Sequence, residues 1–272
     1  MWIFLAALLL LALYLFLVAP GRTRPDASAL LGFRYAHRGL HGEGVPENSL
    51  AAFSRAVEAG FGIELDVQLT RDGRLVVHHD GSLKRVCGVD LLIRETDWEE
   101  LCRHPLPDGS RVPLFSEVLS LVDGRVPMIV EIKHHGGAAQ NAQAAWAALR
   151  TYRGPYCVES FNPLAMRYFR RNAPGVLRGQ LAYGGRWLPE ELDLVSHFAL
   201  KHLLVNCVSR PHFVAYSYPT DHTLAMYLMR RFFHPLLAAW TLRSQEALDG
   251  ALARGYELPI FERFVPQSRG RC

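Results

Sequence analysis

Lysine is nearly missing from this chain of 272 residues. It occurs only at Lys84, Lys133 and Lys201, so arginine carries almost all of the positive charge. The net charge of +4 is mild and is not gathered into a basic stretch, which speaks against a nucleic-acid partner. Cysteine is also scarce. Cys87, Cys102, Cys157, Cys207 and Cys272 form an odd set with no CxxC spacing, so neither a zinc site nor a disulfide framework is expected. Reduced thiols in a cytosol-facing domain fit that pattern. No glycine-rich fingerprint follows the first strand-like stretch, which leaves a doubly wound dinucleotide fold without support. No internal repeat is evident. Half of the residues are hydrophobic, which excludes wholesale disorder.

The first nineteen residues, MWIFLAALLLLALYLFLVA, lack any charged side chain. As a helix they would measure roughly 28 Å, enough for a hydrocarbon core. A cleaved signal peptide would need a basic n-region and a small-x-small site, and neither is present. Arg22, Arg24 and Arg34 follow the apolar run with only Asp26 opposing them. The positive-inside rule then places the bulk of the chain in the cytoplasm. The expected organisation is a single-pass membrane anchor over 1–19, a linker over 20–32 and a catalytic domain over 33–272.

From Phe33 onward, short apolar strands alternate with helical stretches. Strands are predicted at 33–37, 62–69, 74–80, 127–133, 156–161, 177–182, 201–206, 212–216, 236–241 and 258–264. Helices are predicted at 48–60, 114–124, 138–152 and 162–175, and near 188–200, 221–232 and 244–254. Asn48 is a candidate N-cap for the first. Roughly eight alternating units in about 240 residues is the arithmetic of a (β/α)8 barrel.

The chemistry-bearing residues sit at the ends of the first strands. In IELDV, Glu64 and Asp66 are two apart and share one strand face. In VEIK, Glu131 and Lys133 do the same. Three carboxylates at the ends of parallel strands make an oxygen-rich site that suits a hard cation, Mg²⁺ or Ca²⁺, better than zinc. A network of structural salt bridges is the competing reading. In VVHHD only one histidine can face inward. If Val77 packs in the inner layer, parity selects His79, at the end where barrel active sites lie. His37 and Arg38 close the first strand. Together these residues can bind a phosphate diester, take a proton from a nucleophile and give one to a leaving alkoxide.

The ordered segments AHRG, PENSLAAF, GIELDVQLTRDGRLVVHHD, LKRVCG, VPLFSEVL, VEIK, ESF and AWTLR resemble the glycerophosphodiester phosphodiesterase family. That resemblance implies a metal-dependent (β/α)8-barrel hydrolase releasing an alcohol and glycerol 3-phosphate. His37 and His79 match the acid/base pair, Glu64, Asp66 and Glu131 the metal ligands, and Arg38 the phosphate contact assisted by Lys133. Glu47 is expected near Arg38, and Trp240 is a candidate pocket wall. His41 matches no motif position and is read as a loop residue. The segment 81–111 occupies the place of a family insertion, and PIFERF departs from the family's last-strand pattern. The expected substrate is a glycerophosphodiester or lysophospholipid, with the bilayer reached through the N-terminal helix and no obligate protein partner. The alternatives are a phospholipase C- or D-like lipid phosphodiesterase and a catalytically silent, membrane-tethered binding module.

Overall fold

The structure, a computed structural model, describes residues 1–185 and 193–267. Eight parallel strands close into a barrel. They are β1 (Tyr35–His37), β2 (Gly62–Leu69), β4 (Met128–Ile132), β5 (Tyr156–Ser160), β6 (Arg178–Ala182), β7 (Phe213–Ser217), β8 (Leu236–Leu242) and β9 (Leu258–Phe261). Each pairs with the next in that order, and β9 pairs back onto β1. A ninth strand, β3 (Leu75–Val77), runs antiparallel to β2 and lies outside the barrel. The barrel helices are α2 (Leu50–Glu58), α5 (Phe115–Val122), α6 (Ala138–Leu149), α7 (Pro163–Asn172), α8 (Leu194–Lys201), α10 (Leu224–Leu228) and α11 (Gln245–Ala253). Two short helices, α3 (Lys84–Cys87) and α4 (Trp98–Leu101), belong to the segment between β3 and α5, and α9 (Asn206–Ser209) precedes β7.

Strand alternation sorts the side chains into two layers. Ile63, Leu65, Val67, Val130, Ile132 and Val158 are fully buried in the same cluster as helix residues such as Phe53, Phe115 and Phe169. Tyr35, Ile129, Cys157, Phe213, Leu258 and Ile260 form a separate cluster inside the barrel. Two large rings fit there because glycines face them. A Cβ at Gly179 would lie 2.2 Å from the Phe213 ring, and one at Gly62 would lie 2.6 Å from Tyr35. These rings fill the lower barrel, so polar side chains one or two residues further along the strands collect at the C-terminal rim.

Several expectations need correction. The stretch 201–206 is not a strand. Helix α8 ends at Lys201 and α9 starts at Asn206, and only Leu203 and Asn206 of the intervening run are buried. The predicted helix near 188–200 falls partly outside the described residues. Ser49, rather than Asn48, caps α2 by accepting from the Ala52 amide. The strand 74–80 stops at Val77, which packs in the outer layer. The parity argument for His79 therefore does not apply. Strand β1 is only three residues long and leaves the far end of one β2 edge open. Strand β3 fills that edge, with Val67 opposite Val77 and Leu69 opposite Leu75. His78 and His79 are thereby carried over the rim beside β1.

The single-pass anchor is overturned as well. Helix α1 spans Trp2–Val18, 17 residues, or about 26 Å at 1.5 Å per residue. Among the described residues no helix is long and apolar enough to cross a membrane. Ala19 leaves the helical conformation ahead of Pro20, as expected for a residue preceding proline. The end of α1 is tied to the barrel. Asn206 donates to the Val18 carbonyl at 2.8 Å, and Arg210 donates to the Phe16 and Ala19 carbonyls, each at 2.9 Å. Arg24 donates to the Phe233 carbonyl, and Arg34 is buried. The positive-inside argument for a cytoplasmic domain loses its anchor. Residues 20–32 run along the barrel, where the Gly21 amide donates to the Pro211 carbonyl and Leu30 joins the interior cluster.

Candidate active site

Glu64 and Asp66 project from β2 and Glu131 from β4, with Asp66 directly beside Glu131 in the parallel register. Each is more than nine-tenths buried, and each offers an oxygen within 4.8 Å of the others. Three buried carboxylates so close together repel one another and resist ionisation. Burial first, then the charges of Asp66, Glu131 and Glu159, drives Glu64 well above the usual carboxylate range. Burial also raises Glu131, against the opposing pull of Lys133. Asp66 behaves in the opposite way. Burial pushes it up, but His79, Lys133, Arg38 and a hydrogen bond from Asn48 outweigh that and hold it far down. The Asp66 Oδ1 atom has no hydrogen-bond partner. Buried, all-oxygen and under-satisfied, the set fits a hard divalent cation.

Basic groups surround the carboxylates. Lys133 Nζ lies 3.0 Å from Glu131 Oε1 and 3.6 Å from Asp66 Oδ1. The Arg38 amide donates to Glu64 Oε2 at 3.0 Å, and its guanidinium donates to Glu47 at 2.7 Å. Arg38 adopts a φ of 56° and Asn48 one of 54°. Both are left-handed conformations that cost energy outside glycine. They serve one purpose here: the Asn48 amide donates to the Arg38 carbonyl, and its side chain donates to Asp66 Oδ2 at 2.8 Å. Gly39 can follow because α2 presses against it, and a Cβ there would sit 2.8 Å from Ala52.

Each candidate histidine has a carboxylate partner on Nδ1. For His79 it is Asp80 at 2.6 Å, and for His37 it is Glu262 at 3.0 Å. Burial lowers the His37 pKa, as does the neighbouring Arg38 charge, while Glu262 works against both. His78 is buried with its Nδ1 on the Asp80 carbonyl, away from the pocket. A chain of ion pairs links the first half of the rim. Asp80 accepts from Arg85, Arg85 donates twice to Glu47, and Glu47 accepts from Arg38. Burial opposes Glu47 ionisation, but Arg85 and Arg38 hold its pKa down at about 2.

These groups enclose a cavity of about 270 Å³. His37, Arg38, Glu47, Glu64, His79 and Glu131 line it on one side. Phe161, Leu181, Trp240 and Ile260 line the other. Trp240 is fixed by donating from Nε1 to the Ala215 carbonyl at 3.1 Å and by an edge-on contact with Phe161 at 5.5 Å. Asp66 and Lys133 lie beneath the floor rather than in the lining. A larger groove near Asp221, Arg230 and Arg254, about 530 Å³, gathers no comparable set of groups. Four participants were not singled out from sequence: Asp80, Arg85, Glu159 and Glu262. Glu159 and Glu262 both follow strand parity, two residues beyond the interior residues Cys157 and Ile260. His41, read as a loop residue, has its Nε2 3.7 Å from Glu262.

The profile of the "Glycerophosphoryl diester phosphodiesterase family" matches residues 37–257. A glycerophosphodiester phosphodiesterase of Bacillus altitudinis is 42% identical over 107 residues, 36% of this chain and 43% of that protein. The matched stretch thus spans less than half of that relative. One from Caldanaerobacter subterraneus subsp. tengcongensis is 34% identical over 172 residues, 58% of this chain and 70% of its own length. Among solved structures, an Oleispira antarctica phosphodiesterase in complex with the product sn-glycerol-3-phosphate superposes with a TM-score of 0.71 at 21% identity. That superposition covers 87% of this chain and 94% of the other, and it shows a shared fold.

Proposed function

The chain belongs to the glycerophosphoryl diester phosphodiesterase family, and from that premise we propose that it hydrolyses glycerophosphodiesters to an alcohol and glycerol 3-phosphate. The observation that carries this reading is the meeting of two carboxylate-backed histidines, Arg38 and three buried carboxylates in the walls and floor of one cavity. The product named for the Oleispira antarctica phosphodiesterase agrees with it.

Glu64, Asp66 and Glu131 would hold a divalent cation, Mg²⁺ or Ca²⁺. Such an ion neutralises the carboxylates and draws charge from a phosphoryl oxygen when bound. Arg38 offers guanidinium donors to a second phosphoryl oxygen, and the Glu47–Arg85 pair keeps it pointed at the pocket. Lys133, paired with Glu131 and Asp66 beneath the cavity, would balance their charge and assist Arg38 at the phosphate. One histidine takes the proton of the attacking oxygen while the other protonates the departing alkoxide. The attacking oxygen belongs either to water or to the neighbouring glycerol hydroxyl. In both routes a new P–O bond forms as the bond to the alcohol breaks. In the second route a cyclic phosphate forms, which water then opens. The apolar wall of Phe161 and Trp240 favours a second substrate class, lysophospholipids, whose glycerol-linked acyl chain would lie against it.

The test is an assay of the purified chain on glycerophosphocholine and lysophosphatidylcholine with Mg²⁺, with Ca²⁺ and with chelator. Release of choline, with glycerol 3-phosphate from the first substrate and lysophosphatidic acid from the second, abolished by chelator, is expected. Divalent-ion binding without turnover on either substrate would point to a silent binding module.

A further inference from the structure

Glu262 closes the barrel. It follows β9, whose register against β1 sets Phe261 beside Ala36. The next residues of the two strands are Glu262 and His37, so the closing seam sets this carboxylate next to that histidine. Its side chain is 7% exposed. A carboxylate so placed is costly unless its oxygens are satisfied, and here both are. Oε1 lies 3.0 Å from His37 Nδ1, with His41 Nε2 at 3.7 Å. Oε2 accepts from Arg243 Nε at 2.9 Å, with Arg263 Nε at 3.7 Å. The opposite ring nitrogen of His37, Nε2, looks into the site, 3.9 Å from Glu64 Oε2.

We infer that Glu262 is a positioning residue that acts through His37. An ionised carboxylate can only accept a hydrogen bond, so the proton of the neutral ring sits on Nδ1. The lone pair on Nε2 is then presented to the phosphoryl site, and the ring cannot turn without breaking the Nδ1 contact. Arg243 holds Glu262 from the other side, so the carboxylate is itself fixed. The logic parallels Asp80 behind His79, but the carboxylate comes from the other end of the chain, 225 residues away. A purely structural ion pair would need only Arg243. The seating of His37 on the other oxygen is what the positioning role explains. This inference rests on the phosphodiesterase reading for its kinetic consequence, but not for its geometric one.

The experiment uses the full chain with Glu262→Ala, Glu262→Asp, His37→Ala and the double variant His37→Ala/Glu262→Ala. The first readout needs no turnover. With histidine selectively labelled with ¹⁵N, the ring signals lost in His37→Ala identify His37. Its neutral form should be the Nδ1–H tautomer in the parent chain and shift toward Nε2–H in Glu262→Ala. An unchanged tautomer would overturn the inference even if the chain proved inactive on every diester. The second readout is kinetic. Glu262→Ala should lower kcat by about 10- to 100-fold, less than the roughly 10²- to 10⁴-fold of a whole acid–base group, with KM changed by less than about threefold. Glu262→Asp should recover part of the loss. In the His37→Ala background, removing Glu262 should change nothing further. A full second loss there, or a parental kcat in Glu262→Ala, would refute the role. If Glu262→Ala does not fold, Glu262→Met carries the same two readouts, since it removes both acceptor oxygens and keeps most of the side-chain volume. A parental tautomer and parental kcat in that variant would overturn the inference equally.

Discussion

Strands β1, β2 and β4 bring His37, Glu64 and Glu131 to the pocket and Asp66 beneath its floor, with His79 arriving over them from the β3 turn. Strands β5 to β9 bring Phe161, Leu181, Trp240 and Ile260 to the same cavity. The first arc of the rim is charged and cross-linked by short ion pairs. The second is apolar and held by ring contacts. Charged groups in the second arc break the pattern near its seams: Glu159 at one, and Glu262 with Arg243 and Arg263 at the other. Glu159 on β5 is opposite Glu131 on β4, and Glu262 follows β9 beside β1. The difference separates two tasks. Making and breaking P–O bonds needs fixed charge in a dry site. Selecting the organic part of the diester needs apolar area. On the proposed function, charge belongs to the arc that would handle phosphorus, and reaches into the other arc only where the two adjoin.

The largest effect that would break this division is expected from His79→Ala. It removes one proton-transfer group from the charged arc and should lower kcat about 10²- to 10⁴-fold. Mg²⁺ binding, followed by calorimetry, should survive, because Glu64, Asp66 and Glu131 remain. Turnover near the parental level would show that the charged arc does not do the proton chemistry assigned to it.

Trp240→Ala tests the other arc and should act on KM. Losing most of a buried aromatic contact costs on the order of 1–2 kcal/mol, or about 10-fold in KM. kcat should stay within about threefold, and the KM effect should be larger for a lysophospholipid than for glycerophosphocholine. A collapse of kcat at constant KM would mean that the apolar arc positions the phosphorus after all.

Much of this was legible in the sequence, and the limits have physical causes. IELDV and VEIK alternate without interruption, so their inward carboxylates could be read from strand period alone. The barrel could be read from element spacing. The run 201–206 could not, because a short apolar stretch looks the same in a strand and in a helix-to-turn connection. His79 reached the pocket for a reason other than the parity expected. The open edge of β2 is a consequence of how short β1 is, and pattern does not give strand length to within one residue. Glu262 was hidden differently. LPIFERF shows Leu258, Ile260 and Glu262 on one face, but a lone carboxylate at a strand end reads as solvated until β9 is known to close against β1. The apolar N-terminal run is a helix as expected, yet it stops at Val18, short of a span.

The smallest expected effect is on stability, and it separates the scaffold of the charged arc from its chemistry. Glu47 bridges Arg38 and Arg85 at 17% side-chain exposure. Burial alone would raise its pKa, but the two guanidinium groups bring it from the ordinary 4.5 to about 2. A depressed folded-state pKa means that the folded chain binds fewer protons than the unfolded one between those values. The stabilisation is therefore complete above about pH 4.5 and disappears as pH falls toward 2. Discounted for solvent screening, it should amount to on the order of 1–2 kcal/mol. Glu47→Gln should accordingly lower the urea midpoint at pH 7, and the gap to the parental chain should narrow steadily below pH 4.5. A gap that persisted unchanged at pH 3 would mean that Glu47 contributes through shape rather than charge. The ion-pair chain from Arg38 to Asp80 would then be a consequence of the charged arc, not one of its supports.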